Sequence, residues 1–489
     1  MVVNDSVSPN LPEFKSLLDS FNYIPVFKKI NKGKFSPVSV YKKLENKSNT
    51  FLLESVEGNK DFARYSFIGI NPLEVIKTGN KEKYSNLDPL KILEKSLSNI
   101  KRPELKDLPQ FNGGAVGYLS YEVVSYFEPS VNKIKESLTY FPESIFLIGS
   151  SLIIFDHEDD CIFIVCNADL RNKKNINEEY KSCLNEIDQI IDSINKSEIG
   201  TDKKINKKTK LKIEHVTSKE KFMDSVEHTK ELIYQGEMIQ AVLSQKLLVN
   251  TDSSPIDIFN SLRNINPSPY MFLLDFENFQ IIGSSPELLV KLDDNKTSVH
   301  PIAGTRPRGL TKLEDEENER DLLDDEKEIS EHLMLLDLGR NDLGKIAQPG
   351  TVKVTQQMEI ERYSHVMHIV SHVEAKISDK YSAFDVLRSA FPAGTVSGAP
   401  KVRAMKQISE KEPFQRGPYS GAVGYFSFDG SMDTAIAIRT IILKENTAII
   451  QAGAGIVADS NAEMEHKECL AKMGALIKAL EYAEKSEKI

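Results

Sequence analysis

Two segments of the chain each carry a pair of glutamates at helical spacing. The pairs are Glu328 with Glu331, in DDEKEISEHLMLLDLGRNDLG (324–344), and Glu465 with Glu468, in SNAEMEHKECLAKM (460–473). Residues three positions apart share one face of a helix, so each segment would present two neighbouring carboxylates. Mg²⁺ takes one or two carboxylates together with water and oxygens of an anionic substrate. The pairs therefore predict a divalent-cation site; two solvated helices, the usual setting of such charged pairs, are the alternative.

Both segments also carry signals for where each helix begins and which face it buries. Ile329, Leu333 and Leu336 recur at i, i+4 and i+7, which predicts an apolar stripe along the first helix. Ser460 and Glu463 have the spacing of a capping box, which predicts that the second helix begins after Ser460. These signals support the interpretation of both segments as helices.

Three histidines, His365, His368 and His372, lie in ERYSHVMHIVSHV (361–373). The pairs 365/368 and 368/372 have the spacing of metal ligands on a helix. The segment alternates, however, and is rich in Val and Ile, which predicts a strand on which His368 and His372 share a face while His365 points away. A zinc site made of these histidines alone is therefore disfavoured.

One arginine, Arg439, stands in the apolar run AIAIRTIIL of a predicted strand at 435–443. A positive charge in such a run needs a partner, which is either the carboxylate of a substrate or a structural ion pair. The turn FPAGTVSGAPK (391–401) leads into a helix and is suited to presenting backbone N–H groups to an anion. Both features agree with an anionic ligand.

Composition excludes several classes of protein. The net charge of −10 speaks against a nucleic-acid binder. The four cysteines form no CxxC pair, and Cys161 and Cys166, in the strand-like run CIFIVC, are expected to be buried thiols in a reducing cytosol. Residues 1–10 are polar and no apolar run is long enough for a membrane span. We therefore expect a cytoplasmic protein that contacts neither nucleic acid nor membrane.

Composition also divides the chain into three regions. Residues 1–170 read as mixed α and β and include a glycine-rich strand, FNGGAVGYLSY (111–121), whose glycines predict close packing between strands rather than a phosphate loop. Residues 171–212 hold a helix followed by a Lys/Asn-rich linker. Residues 213–489 contain the glutamate pairs, the histidines and Arg439, and form the predicted catalytic region.

Five motifs occur in the order in which a known family carries them. They are PIAGTR (301–306), DEKEISEHLMLLDLGRND (325–342), GTVSGAPK (394–401), RGPYSGAVGY (416–425) and AGAGIVADSNAEMEHKECLAK (452–472). The ordered set resembles the chorismate-utilising enzymes, and within them the branch of anthranilate synthase component I, over about residues 20–480. The resemblance implies an α+β fold, in which two large, mostly antiparallel sheets face each other as a sandwich with helices on the outside.

The same resemblance implies an enzyme that aminates chorismate at C2 with ammonia and then eliminates pyruvate to give anthranilate, the first step of tryptophan biosynthesis. Two residues separate this branch from its relatives. Gln240 stands where the water-using isochorismate and salicylate synthases carry a lysine base; ammonia needs no base, so an uncharged amide is enough to orient it. Ala303 stands where aminodeoxychorismate synthases of the related type carry a nucleophilic lysine.

The resemblance also implies roles for individual residues. Glu331 and Glu468 correspond to Mg²⁺ ligands, supported by Glu328 and Glu465. Glu287 corresponds to the general acid that protonates the departing C4 hydroxyl, with a turn-capping role as its alternative. His368 corresponds to the histidine for pyruvate loss, and Gln240 and Thr395 are implied beside the reacting groups. The enolpyruvyl carboxylate is implied to contact Tyr419, Arg439 and the backbone of Gly453, Ala454 and Gly455. The rest of the pocket is implied to be lined by Gly304, Thr305 and Lys472.

Two further features concern regulation and partners. LLES (52–55), ending at Ser55, together with Pro269, Tyr270 and Met271 in NPSPYM, resembles the tryptophan feedback site of this branch. A buried strand end is the alternative. No glutaminase arrangement is visible, so ammonia is expected from a separate glutamine amidotransferase subunit. The alternatives for the whole protein are an aminodeoxychorismate synthase component and a catalytically silent homologue that binds tryptophan.

Overall fold

The structure is a computed structural model that describes residues 7–44, 47–56, 64–134, 136–171, 175–196, 211–363 and 366–485. Most of the predicted linker (195–212) and His365 lie outside the described residues.

Within the described residues the chain forms 22 strands and 12 α-helices. The strands are β1 (Tyr23–Asn31), β2 (Thr50–Glu54), β3 (Tyr65–Ile70), β4 (Glu74–Thr78), β5 (Gly114–Leu119), β6 (Ser144–Ile148), β7 (Ser151–Asp156), β8 (Cys161–Asp169), β9 (Ile213–His215), β10 (Gln240–Asn250), β11 (Tyr270–Asp275), β12 (Gln280–Ser285), β13 (Leu288–Asp293), β14 (Lys296–Val299), β15 (Ile302–Pro307), β16 (Lys353–Arg362), β17 (Val366–Lys376), β18 (Gly398–Ala399), β19 (Ala422–Ser427), β20 (Met432–Ile436), β21 (Thr440–Lys444) and β22 (Thr447–Ile456). The helices are α1 (Leu11–Ser16), α2 (Pro37–Lys42), α3 (Pro89–Leu97), α4 (Val124–Phe127), α5 (Ile176–Asn195), α6 (Lys219–Tyr234), α7 (Pro255–Ile265), α8 (Lys312–Asp324), α9 (Glu326–Gly344), α10 (Ala383–Ala390), α11 (Lys401–Lys411) and α12 (Ala462–Lys485).

The strands form two large antiparallel sheets, and the predicted α+β fold is confirmed. The twelve-stranded sheet has the order β1-β8-β7-β3-β2-β11-β12-β21-β22-β10-β18, with β9 also paired to β10. The ten-stranded sheet has the order β15-β17-β14-β13-β20-β19-β5-β6-β4, with β16 also paired to β17. Every residue of β5, β6 and β7 is buried, as expected for strands covered on both faces.

The first 170 residues supply strands to both sheets. Strands β1, β2, β3, β7 and β8 lie in the twelve-stranded sheet, whereas β4, β5 and β6 lie in the ten-stranded sheet. The two sheets are therefore each completed by strands from both ends of the chain. The predicted boundaries at 170 and 212 stay predictions.

The glycines of the predicted glycine-rich strand lie where neighbouring backbones approach closely. A Cβ on Gly117 would be 1.9 Å from the carbonyl oxygen of Ile145, and one on Gly424, in the adjacent β19, would be 2.1 Å from that of Asp433. Any larger residue would force these strands apart. The prediction of close strand packing is confirmed.

The predicted strand at 435–443 is wrong, because the chain changes sheets there. Strand β20 ends at Ile436 in the ten-stranded sheet, and β21 begins at Thr440 in the twelve-stranded sheet. Between them Arg439 has a φ of 50°. The residues before and after Arg439 are apolar because the two flanks are buried in different sheets. The apolar pattern is therefore continuous and does not indicate that the chain changes direction.

Two predictions about the glutamate helices are also wrong. Leu333 is 41% exposed, and α9 buries the stripe His332, Leu335, Leu336 and Gly339 instead. Helix α12 is capped not by Ser460 but by Asn461, whose Oδ1 accepts from the N–H groups of Glu463 and Met464, each at 3.1 Å. The Ser460 hydroxyl accepts from the Val457 N–H at 3.1 Å, one turn earlier.

Other local predictions are confirmed. His368 and His372 lie on one strand, β17, and Cys161 and Cys166 are buried free thiols. In the part of the chain that the structure describes, no helix is both long enough and apolar enough to cross a bilayer.

Candidate active site

A cavity of about 560 Å³ opens where the ends of both sheets meet helices α9 and α12. The predicted site residues that line it are Gln240, Glu287, Gly304, Thr305, Glu328, Glu331, His368, Thr395, Tyr419, Arg439, Gly453, Gly455, Glu465, Glu468 and Lys472. Ala454 is the exception. It is fully buried in the hydrophobic core, because alternate residues of β22 face opposite sides of the sheet.

The two glutamate pairs lie on opposing helices, and within each pair one carboxylate raises the pKa of the other. Burial and then the charge of Glu331 raise the pKa of Glu328, while Arg306, 3.7 Å away, opposes this. Burial also raises the pKa of Glu465, and the charge of Glu468 adds to it. Each helix therefore presents a carboxyl group whose negative charge is only partly compensated.

The spacing of these carboxylates limits the kind of divalent-cation site that they can form. Among the described residues, no three of them bring oxygen atoms within 4.8 Å of one another. The single group of possible ligands that lie this close together in those residues is Asp156 with Asp159 and the Cys161 thiol, and Asp156 there is paired with Arg64, whose Nη2 lies 2.9 Å away. The cavity thus fits a cation held by one or two carboxylates and completed by water and substrate, as Mg²⁺ prefers, and not a site enclosed by protein ligands.

Glu287 projects into the cavity just after β12. Burial raises the pKa of its carboxyl group to about 8, against opposing effects of the Thr395 side chain and the Lys472 charge. Its carboxyl group accepts no backbone hydrogen bond from the described residues, so it does not cap the turn. Glu287 is 8% exposed, and its carboxyl group can hold a proton at neutral pH.

His368 is held in one tautomer by the backbone. Its Nδ1 lies 2.9 Å from the carbonyl oxygen of Gly304 and 3.0 Å from the hydroxyl of Thr305. A carbonyl oxygen only accepts, so Nδ1 carries the proton and Nε2 keeps its lone pair in the neutral ring. Burial lowers the pKa of His368, which favours that neutral form.

Arg439 and Lys472 form the cationic wall. Lys472 Nζ lies 2.7 Å from Glu468 Oε1 and donates to the carbonyl oxygen of Gly453 at 3.0 Å. Arg439 donates to the carbonyl oxygen of Lys472 at 2.6 Å but has no carboxylate within 4.0 Å among the described residues. Burial lowers the pKa of Arg439. Among the described residues Arg439 therefore has no structural ion pair. The remaining interpretation is that it binds the carboxylate of a substrate.

Gln240 connects the sheet to the first glutamate helix. Its Nε2 donates to Glu331 Oε1 at 3.1 Å, and the side chain is almost fully buried. A Cβ at Gly455, on the neighbouring strand, would lie 2.4 Å from this nitrogen. Glycine at 455 is therefore required for the amide to occupy its place.

Comparison with known proteins agrees with this arrangement. Residues 48–478 match the family model described as chorismate binding enzyme. The chain is 45% identical to anthranilate synthase component 1 of Acetivibrio thermocellus, covering 97% of this chain and 99% of that protein. It is 41% identical to the protein of the same name from Aquifex aeolicus, covering 98% and 99%. The chain belongs to the anthranilate synthase component 1 family of chorismate-binding enzymes.

Solved structures extend the comparison. Anthranilate synthase component I of Streptococcus pneumoniae superimposes with a TM-score of 0.77 at 36% identity, covering 91% of this chain and 99% of that one. The menaquinone-specific isochorismate synthase of Escherichia coli gives a TM-score of 0.69 at 18% identity, which shows a shared fold alone. The resemblance inferred from the motifs is confirmed.

Two charged or polar lining residues of this anthranilate synthase family member were not predicted from the sequence. Lys327, beside Glu328, lines the cavity, and its charge opposes the rise in the pKa of Glu465 on the opposing helix. Gln451, in β22, also lines it and donates to the hydroxyl of Ser244 at 2.7 Å. No local sequence pattern marks either residue. A lysine on a charged helix resembles an ordinary solvated residue, and a glutamine in a strand resembles an ordinary edge-strand residue.

The two halves of the predicted effector site are neighbours. Strand β2 pairs with β11 so that Glu54 is opposite Met271, and the Val56 N–H donates to the carbonyl oxygen of Ser268 at 3.3 Å. The hydroxyl of Ser55 is buried without a hydrogen-bond partner among the described residues. The Tyr270 hydroxyl lies beside the buried Asp433 carboxyl, and burial and then Asp433 raise the pKa of Tyr270. Pro269 is half-buried and Met271 is buried. This site lies apart from the cavity lined by the glutamate helices.

Proposed function

We propose that this chain converts chorismate to anthranilate, with ammonia as the nucleophile. The observation that carries the proposal is that the uncharged side-chain amide of Gln240 faces the cavity beside Glu331. Ammonia attacks without a base, whereas water needs one. Ala303, which also lines the cavity, offers no amine for a covalent intermediate.

Glu331 and Glu468 would hold Mg²⁺, with Glu328 and Glu465 as supporting carboxylates. When bound, the ion would draw electron density from the ring carboxylate of chorismate and make C2 more electrophilic. The residual negative charge on both helices supports this assignment, as does the absence of a closed carboxylate cage within the described residues.

Glu287 is the proposed acid in the first step. A C–N bond forms at C2, the ring double bonds shift, and the C4 hydroxyl leaves as water after it takes the Glu287 proton. A carboxyl group with a pKa near 8 is mostly protonated at pH 7, and Thr395 beside it would orient the proton.

His368 is the proposed base in the second step. Its Nε2, left with a lone pair by the bond from Nδ1 to Gly304, would take the proton from C2 while the C3–O bond breaks and the ring becomes aromatic. The enolpyruvyl group leaves as the enolate of pyruvate, which takes a proton from water to become pyruvate, and His368 then gives its proton to solvent. Thr305 beside Nδ1 would help hold the ring in place.

The cationic wall would bind the enolpyruvyl carboxylate. Arg439 and the Tyr419 hydroxyl face the cavity, and the backbone of Gly453 and Gly455 closes it without side chains. Lys472, paired with Glu468, would position that carboxylate relative to the metal ligands. A buried guanidinium that has no carboxylate within 4.0 Å among the described residues is suited to an anionic ligand.

Regulation and supply of ammonia complete the proposal. Tryptophan would bind at Ser55, Pro269, Tyr270 and Met271, where the Ser55 hydroxyl has no hydrogen-bond partner among the described residues and lies beside apolar surface. Its binding would shift the sheets and weaken chorismate binding. A separate glutamine amidotransferase subunit would deliver ammonia in the cytoplasm.

Fluorescence of the purified chain with chorismate, MgCl₂ and ammonium chloride tests the proposal. Anthranilate emission that EDTA and added tryptophan each abolish is expected. Consumption of chorismate without anthranilate would refute the proposed product and favour the aminodeoxychorismate or isochorismate branch. No consumption, with tryptophan still bound, would identify a silent regulator.

A further inference from the structure

One arginine, Arg416, lies directly behind the cavity with a side chain that is completely buried. All five N–H groups of its guanidinium are satisfied. Nε and Nη2 donate to the two oxygens of Glu412 at 2.8 and 2.6 Å, Nη2 also donates to the Val242 carbonyl at 2.7 Å, and Nη1 donates to the Val396 carbonyl at 2.8 Å and the Ser420 hydroxyl at 3.3 Å. A guanidinium has five donors in a rigid fork, and here every one is used.

The partners of Arg416 belong to three separate walls of the cavity. Val242 on β10 and Val396 in the turn before β18 themselves line the cavity, close to Gln240 and Thr395. Ser420, in the loop before β19, is adjacent to the lining residue Tyr419. Two of the three acceptors that hold these walls are backbone carbonyls, so the bonds fix the chain itself.

The surroundings hold the guanidinium in place. Its plane lies over the rings of Tyr121 at 4.7 Å and Tyr419 at 5.7 Å. Its backbone N–H donates to the buried Glu122 at 2.7 Å. Glu412 neutralises the charge and also accepts from the N–H and hydroxyl of Ser244 at 2.9 and 2.8 Å. Few rotamers are compatible with all of these contacts.

We infer that Arg416 is a positioning residue that fixes the Thr395 turn, the Gln240 strand and the Tyr419 loop relative to one another. The inference rests on the proposed function, because Arg416 would hold in place the groups that are proposed to act on chorismate. Arg416 does not line the cavity and is not expected to touch substrate. A residue that only stabilises the fold is the competing interpretation.

Arg416→Lys separates the two interpretations. Lysine keeps a positive charge opposite Glu412 but has its donors at a single atom, so it cannot reach the carbonyls of Val242 and Val396 at the same time. Misplacing a reacting group by about 1 Å costs about 10²-fold in rate, so we expect kcat/KM for chorismate to fall by about that factor. Loosening of Thr395 should also move the alkaline limb of the pH–rate profile.

Arg388→Lys is the matched control. Arg388 also pairs with a carboxylate, Asp88 at 2.9 Å, and lies over a ring, Phe127 at 5.5 Å, but its described partners do not line the cavity. We expect this variant to lose thermal stability and keep the wild-type kcat, KM and pH profile. Tyr121→Leu, which loosens the guanidinium without removing a hydrogen bond to it, should change kcat/KM in the same direction as Arg416→Lys and by less.

Wild-type kinetics in Arg416→Lys, measured per folded molecule, would overturn the inference. If that variant does not fold, unchanged kinetics in Tyr121→Leu would overturn it equally. If the wild-type chain makes no anthranilate, the proposed function fails, and the inference is tested by calorimetric titration with chorismate: binding should weaken about tenfold in Arg416→Lys or Tyr121→Leu and not in Arg388→Lys. A wild-type chain that does not bind chorismate would overturn both.

Discussion

Glu287→Gln should stabilise the protein and remove its activity at the same time. The carboxyl group has a pKa of about 8 in the folded chain against 4.5 when exposed. A folded pKa above the unfolded one means that its stability contribution is complete below pH 4.5 and is lost as the pH rises through 8. At about 1.4 kcal/mol per pH unit, a titratable Glu287 costs about 3 kcal/mol at pH 7 and about 5 kcal/mol above pH 8. Glutamine does not titrate and avoids this cost.

The assay follows both quantities across pH. Between pH 5 and pH 9, unfolding in urea should show the free-energy difference between Glu287→Gln and wild type widening by about 4 kcal/mol in favour of the variant. Turnover should fall by about 10²–10⁴-fold, the usual contribution of a general acid. Wild-type kcat/KM, compared at constant free ammonia, should fall about tenfold per pH unit above pH 8, because the acid form of Glu287 is then lost.

Asp275→Asn serves as the control for this experiment. Burial also raises the pKa of Asp275, but Asp275 does not line the cavity. Its variant should gain stability with rising pH and keep wild-type activity. Turnover of chorismate by Glu287→Gln at the wild-type rate would refute the role of Glu287 as the acid. A stability advantage that does not grow between pH 5 and pH 9 would refute its raised pKa.

Three other substitutions test the remaining assignments. Glu331→Gln should raise the MgCl₂ concentration for half-maximal activity by about tenfold or more, since one charged ligand is lost, and an unchanged titration curve would contradict its role. Ser55→Phe should abolish tryptophan binding and leave chorismate kinetics intact; because the chain contains no tryptophan, fluorescence anisotropy of added tryptophan reports binding directly, and binding that persists would disprove the effector site. Gln240→Lys should lose anthranilate and form isochorismate, because a lysine amine can activate water, and chromatography of the products would show continued anthranilate synthesis if this is wrong.

Much of the candidate site could be predicted from sequence because its chemistry is local. The spacing of Glu328 and Glu331 on a helix, and of His368 and His372 on a strand, follows from the period of each element. The ordered motifs then identified the family and its fold. Residues without a distinctive local pattern were missed: Lys327 looks like any solvated lysine until α12 is placed opposite it.

The errors have the same origin. An apolar run predicted one strand at 435–443, yet the chain turns at Arg439 and continues in the other sheet. Leu333 matched the helical period but is exposed, because α9 packs by the stripe that includes Leu336 and Gly339. Periodicity reports which residues share a face, whereas the partner that a face meets depends on residues far away in the chain.

By itself, the sequence determined the kinds of group available and their order on each helix or strand, since these depend on neighbours a few residues apart. Only the tertiary structure decided which groups meet. It placed Ser55 beside the turn at Pro269, put Gln240 against Glu331, and buried Glu287 deeply enough to raise its pKa to about 8. Burial and long-range pairing arise when distant segments exclude water together, and no local pattern records that event.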